Sequence, residues 1–286
     1  MLIQSIQSIL STYDLKQGVL VVDDTENERS KNARFIHVLG KVKDKRGGGY
    51  FKGQNIVFLV LVTPKVTLPV GFRFYQNDPA WQAWKKQDEY LRKQGVAKVH
   101  RPAQVVRDYD KYPTKQSLGV ELIQAFKTAQ QAYFADFIVK GVLADCFYGT
   151  KEWTIQTNEI YPKAQNISQL KKNQKIIVKG KELSLADYFS RRALIKRKVV
   201  IRGGKTVAIY YSSLIAKVKA HDGTKRLIIA YKYEGEQQLR YLFATDMTWT
   251  VQSVIELFSL RWLVEVFIQD WKIQDWKLYE GCLVSF

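Results

Sequence analysis

Apolar runs and polar, glycine- or proline-marked breaks alternate along the chain and divide it into recognisable elements. The first 16 residues set Leu2, Ile3, Ile6 and Ile9/Leu10 on one stripe, which predicts a short amphipathic helix. GVLVVDDT (18–25) is apolar and β-branched and then meets acids, the pattern of a buried strand ending at a sheet edge. KDKRGGGYFKGQ (43–54) predicts a basic hairpin turn; no Gly-Lys-Ser/Thr follows its glycines, so it is not a nucleotide cradle. Strands are expected at 55–63 and 66–75, with breaks marked by Pro64 and Pro69. Helical periodicity covers 79–95 and 117–135, and the polar, basic stretch 96–115 between them, with Pro102 and Pro113, predicts an exposed loop.

DFIVKGVLADCFYGT (136–150) repeats the earlier theme of an apolar strand, an acid at its end and a turn that could open a helix. From 164 to 244 the chain alternates apolar and polar residues between short turns, which predicts a β-rich subdomain. Thr248 or Thr250 is a suitable cap for one long final helix running through TVQSVIELFSLRWLVEVFIQDWK (250–272). The pentapeptide IQDWK occurs twice in succession, at 268–272 and 273–277.

Charge changes the picture. The 286 residues carry 45 Lys+Arg against 27 Asp+Glu, a net of +18 and a pI near 9.7. Such self-repulsion fits a polyanionic partner, with nucleic acid the leading candidate and an anionic membrane surface the rival. Residues 164–244 hold 18 Lys+Arg and 5 Asp+Glu, so +13 falls in that stretch. Cys146 and Cys282 are the only cysteines, without CxxC spacing, which fits a reducing cytoplasm. No apolar run reaches the ~20 residues of a membrane span, and the N-terminus lacks the pattern of a signal peptide.

Three acidic positions stand out. Asp23 and Asp24 follow the first strand, Asp145 follows a later one, and Glu265 lies in the last helix. Converging carboxylates of this kind make a hard-oxygen site for Mg²⁺ or Mn²⁺, and a pair of such ions suits in-line displacement at a phosphodiester. Phe258, Arg261, Glu265 and Lys272 sit at offsets of −7, −4, 0 and +7 from the glutamate. At ~100° per residue these fall within about 40° of one helix face. An ordinary i,i+4 Arg–Glu pair explains part of this, but not Lys272.

The string F-x2-R-x3-E-x6-K over 258–272 resembles the Tyr-Arg-Glu-Lys signature of a superfamily of bacterial insertion-sequence transposases, DDE enzymes with an RNase H-like core. VVDDT (21–25) is similar to their Asp-x-Thr first-strand motif and VLADCFYGT (142–150) to their second-aspartate motif, in the same order. The 120 residues from Asp145 to Glu265 suit a β-rich insertion. The resemblance spans roughly 17–280. It implies Asp23, Asp145 and Glu265 as the metal-binding catalytic triad, with Asp23 preferred to Asp24 because it stands two before Thr25. It also implies two Mg²⁺ or Mn²⁺ ions, and phosphate contacts from Arg261 and Lys272. DNA is the implied partner, both terminal inverted repeats and target, gripped by the basic insertion with Tyr210, Tyr211, Tyr231 and Tyr233 available. A homodimer and a bacterial cytoplasmic, nucleoid-associated location follow from the same likeness.

The expected architecture is thus α/β: a helical stub at 1–16, an RNase H-like core of mixed sheet flanked by helices at 17–163 and 245–286, and a basic β-rich insertion at 164–244. Phe258 departs from the signature tyrosine, and the second IQDWK moves Lys277 off the active face. Little chain lies before Asp23 or after the last helix, which fits a shortened copy of a longer element. Two other readings stand beside the transposase: a catalytically inactive DNA-binding remnant, and an RNase H-like nuclease that cuts without strand transfer.

Overall fold

The computed structural model describes residues 2–44 and 47–283, and the side chains of Leu2 and 274–283 lie outside that description, Lys277 and Cys282 among them. In chain order, α1 (Leu2–Thr12) leads into β1 (Gln17–Glu28), β2 (Gly40–Lys43), β3 (Tyr50–Val62) and β4 (Thr67–Tyr75). Next come α2 (Pro79–Lys93), α3 (Lys115–Tyr133), β5 (Ile138–Ala144), α4 (Lys151–Ile160) and β6 (Gln165–Leu170). The remainder is β7 (Lys175–Val178), β8 (Lys181–Ser184), α5 (Leu185–Phe189), β9 (Ile195–Ile201), β10 (Lys205–Val218), β11 (Thr224–Tyr233), β12 (Arg240–Ala244), α6 (Val251–Ser259) and α7 (Trp262–Leu283). The chain is therefore mixed α/β, with a large mixed sheet flanked by helices. Among the described residues, no helix is long and apolar enough to cross a membrane.

Two compact units divide it. The first takes in the chain up to Asp23, then Phe58–Phe72, then everything from Gly119 onward. Its strands run in the order β3-β1-β5-β6-β12-β11-β10-β7-β8, with β4 beside β3 and β9 beside β10. The centre is parallel: β1 pairs with β5, and β5 with β6. Parallel strands covered on both faces need continuous apolar sequence, and Val19, Leu20, Val21 and Val22 are all buried. From β12 onward the pairings are antiparallel. The stretch 164–244 holds β6 to β12, and its strands continue the parallel centre through β6. One hydrophobic cluster there joins Ile176, Leu185, Phe189, Val218, Ile228 and Phe243.

The second unit comprises Asp24–Val57 and Arg73–Leu118. β2 and β3 pair antiparallel, with Lys43 opposite Tyr50. β1 runs on past its acids to Glu28, because the alternate positions Thr25 and Asn27 are buried; polar identity alone did not end the strand. Asp78 caps α2, its Oδ1 accepting from the amides of Ala80 and Trp81 at 2.9 and 3.1 Å. Its Oδ2 accepts from the Asp108 amide at 3.1 Å, and these hydrogen bonds, led by that of Trp81, hold the carboxyl below its usual range. The stretch 96–115 is tied to α2. The indole of Trp84 donates to the Pro102 carbonyl, Arg101 pairs with Asp88 at 2.9 Å, and the Arg107 guanidinium lies 5.7 Å from the Trp81 ring and 5.2 Å from that of Tyr109.

Candidate active site

The first two acids are brought together by strand pairing. Val22 is opposite Ala144 in the parallel β1–β5 ladder, so Asp23 and Asp145 each follow a paired residue on neighbouring strands. Strands lie about 5 Å apart. The carboxyl ends of adjacent parallel strands are where open α/β sheets bind ligands. Side chains alternate along β1. Asp23 meets Arg261 within the first unit, while Asp24, in the second, pairs with Lys115 at 2.5 Å.

Asp145 ends β5 at a tight turn. Its Oδ1 accepts from the amides of Phe147 at 2.8 Å and Tyr148 at 3.4 Å, and the Ser168 hydroxyl donates to its carbonyl at 2.5 Å. Thr150 then caps α4 by accepting from the Trp153 amide.

The final segment is two helices instead of one. Thr250 caps α6, accepting from the Ser253 amide at 3.1 Å, so of the two threonines it is the later that starts the helix. The helix ends at Ser259, and α7 begins at Trp262. Between them the amides of Leu260 and Arg261 reach back only three residues, to Leu257 and Phe258. Ser259 marks the break: its hydroxyl donates to the Glu256 carbonyl at 2.7 Å and accepts from the Arg202 amide at 3.1 Å. The sequence hides this, because apolar periodicity continues across the junction. Arg261 and Glu265 keep their one-turn relation, whereas Phe258 belongs to the preceding helix.

Arg261 is the hinge of the site's electrostatics. One guanidinium nitrogen donates to Asp23 Oδ2 at 3.1 Å, and the other bonds Glu265 Oε1. The cation is 14% exposed, against 17% for Asp23 and 30% for Glu265. Residues 238 positions apart are thereby joined through one fork. Arg261 was expected as a phosphate contact; in the protein alone it serves two carboxylates. Lys272 sits half-buried on α7, seven residues and about 10 Å beyond Glu265.

The oxygen donors fit a hard divalent cation in kind, and Asp23 and Glu265 already converge on one positive charge. As they stand, no three acid, histidine or cysteine side chains among the described residues are grouped closely enough to hold an ion. Arg261 occupies that role electrostatically.

Sequence reasoning did not single out Arg202 and Arg240, which line a cavity of about 340 Å³ together with Arg261, Tyr233, Glu236 and Trp262. They lie scattered through the basic stretch, and nothing in their local sequence sets them apart. Of the four tyrosines named there, Tyr231 is core, and burial raises its phenol well above the usual range.

No family model matches the chain, and no curated protein matches it. Among solved structures, the NurA nuclease from Sulfolobus solfataricus is similar over 85% of this chain and 72% of its own, at 7% identity and a TM-score of 0.35. That likeness is too slight to assign a fold or an activity.

Proposed function

We propose that the chain acts on DNA phosphodiesters as a DDE-type transposase, cleaving a transposon end and joining the freed 3′-OH to target or opposite-strand DNA. The observation that carries this is the convergence of Asp23 and Glu265 on Arg261, with Asp145 at the end of the neighbouring parallel strand. The central strands β3-β1-β5-β6 are read as the RNase H-like core, which gives distant acids a common edge. Asp23, Asp145 and Glu265 would hold Mg²⁺ or Mn²⁺, which when bound supplies Lewis acidity and a more acidic water.

The chain's own groups do the rest. Asp145 is orientated by the turn that its Oδ1 caps. Arg261 offsets part of the charge of two carboxylates before DNA arrives, and its planar fork then suits a phosphate that competes for it. Lys272 adds a point charge farther along the same helix. The basic stretch 164–244 supplies sequence-independent attraction for the backbone.

The test uses the full chain on DNA carrying the element's terminal inverted repeat. Asp145→Asn and Glu265→Gln should each lose Mg²⁺-dependent nicking and joining by at least ~10³-fold, as when charge-bearing catalytic groups are removed. DNA affinity should stay within a fewfold of the parent. Undiminished cleavage in either variant refutes the triad; cleavage by the parent without joined products leaves a nuclease.

A second reading, an inactive DNA-binding remnant, is favoured by the Arg261 bridge itself, since a guanidinium fills the space between two of the acids. It predicts DNA binding, no cleavage and no calorimetric signal for Mg²⁺.

A further inference from the structure

Beside the acids lies a cavity that the triad leaves unused. Its walls carry three arginines, Arg202, Arg240 and Arg261, and one carboxylate, Glu236. Two of the cations are held against rings: Arg202 stands 4.8 Å over Trp262, and Arg240 5.1 Å over Tyr233. Stacking fixes a guanidinium plane while leaving its edge to donate. Glu236 engages only one end of Arg240, accepting from Nη2 at 2.7 Å, and its other oxygen accepts from the Tyr233 amide at 3.1 Å. Arg240 Nη1 is buried and has no hydrogen-bond partner among the described residues. A buried donor left unmatched is costly, and an acceptor brought in from outside would relieve that cost.

We propose that this cavity is a seat for a backbone phosphodiester of DNA, held by Arg202 and Arg240 and set next to the Asp23–Arg261–Glu265 bridge. Arg261 is already shared by Asp23 and Glu265, and Arg240 is paired through Nη2 with Glu236, so what an anion would meet is Arg202 and the unmatched end of Arg240. Stacked, planar donors favour the tetrahedral oxygens of phosphate over a compact halide. The aromatic walls give the adjoining sugar and base an apolar surface. The seat would fix where along the strand the reacting bond falls, so Arg202 and Arg240 are positioning residues. It rests on the reading of DNA as the partner.

The experiment measures binding of a fluorescent oligonucleotide to the full chain by anisotropy across a salt series, for the parent, Arg240→Gln, Arg240→Lys and Arg202→Gln. Each glutamine variant should bind roughly tenfold more weakly, the loss of one charge-assisted contact. The slope of log affinity against log salt should shrink by about 0.7–0.9. Arg240→Lys should restore the slope but not the full affinity. A methylphosphonate scan of the oligonucleotide should find one position where neutralisation weakens the parent and leaves Arg240→Gln unchanged. Competition by millimolar inorganic phosphate alone, with no such position, would make the cavity a free-anion site and overturn the proposal. So would unchanged slopes in both folded glutamine variants. If the parent does not bind DNA at all, the DNA reading itself fails, and that result is distinct from either.

Discussion

Arg261 is one cation facing two carboxylates, and removing it leaves them to repel each other in a partly buried place. Arg261→Gln should therefore lower the melting temperature by several degrees, corresponding to about 1–3 kcal/mol once solvent screening is allowed for. If the acids are metal ligands, millimolar Mg²⁺ should raise the melting temperature of Arg261→Gln more than that of the parent. An equal response in both would show that Arg261 and the metal do not compete for the acids. His221 gives a second residue-level expectation. It is 1% exposed, its Nε2 donates to the Gly149 carbonyl at 3.2 Å, and its ring meets Phe243 edge-on at 5.0 Å. Burial pushes its pKa below the ordinary 6.5. Below about pH 6.5 the unfolded chain takes up a proton that the folded one refuses, so stability should fall with pH until the folded value is passed. Melting curves at pH 7.5 and 5.5 should show a drop that His221→Gln reduces; an identical drop in that variant would assign it to other groups.

At the scale of elements, the parallel centre depends on close approach. A Cβ on Gly141 in β5 would meet Leu257 Cδ2 at 2.8 Å and the Gln165 carbonyl oxygen at 2.9 Å. One contact is backbone and cannot swing aside, so Gly141→Ala should cost about 1–3 kcal/mol in chemical denaturation. A loss under ~0.5 kcal/mol would show that β5 and β6 can spread. Elements marked by strong patterns were legible in the sequence: the strand before Asp145, the helix capped by Thr250, and the β-rich run after 164. What the pattern concealed has physical causes. The break at Leu260–Arg261 leaves apolar spacing intact, so periodicity carries through it. β1 outlasts its acids because alternate polar residues beyond them are buried. The placing of Asp23 and Asp145 after paired residues of neighbouring strands was legible only through motif order, since pairing of Val22 with Ala144 is a long-range fact that local propensity does not encode.

Over the whole molecule, the charge has two addresses. Besides the +13 in residues 164–244, the unit formed by 24–57 and 73–118 carries 18 Lys+Arg and 9 Asp+Glu, a further +9. The remaining residues sum to −4, and they include all three proposed ligands. A polyanion would thus be drawn to the basic stretches. DNA affinity should accordingly fall by orders of magnitude between about 50 and 200 mM salt, with little dependence on sequence for duplexes lacking the inverted repeat. A shallow salt response would mean that the excess charge serves something other than a nucleic-acid backbone.

The tandem IQDWK gains its meaning from where α7 starts. Glu265 stands in the first turn of that helix and Arg261 just ahead of it, both anchored from the amino-terminal side. Five residues added after Lys272 would lengthen the rod by about 7–8 Å and rotate its far end by roughly 140°. Nothing upstream has to move. A change of length at this point would therefore be silent for the carboxylates and felt beyond Lys272.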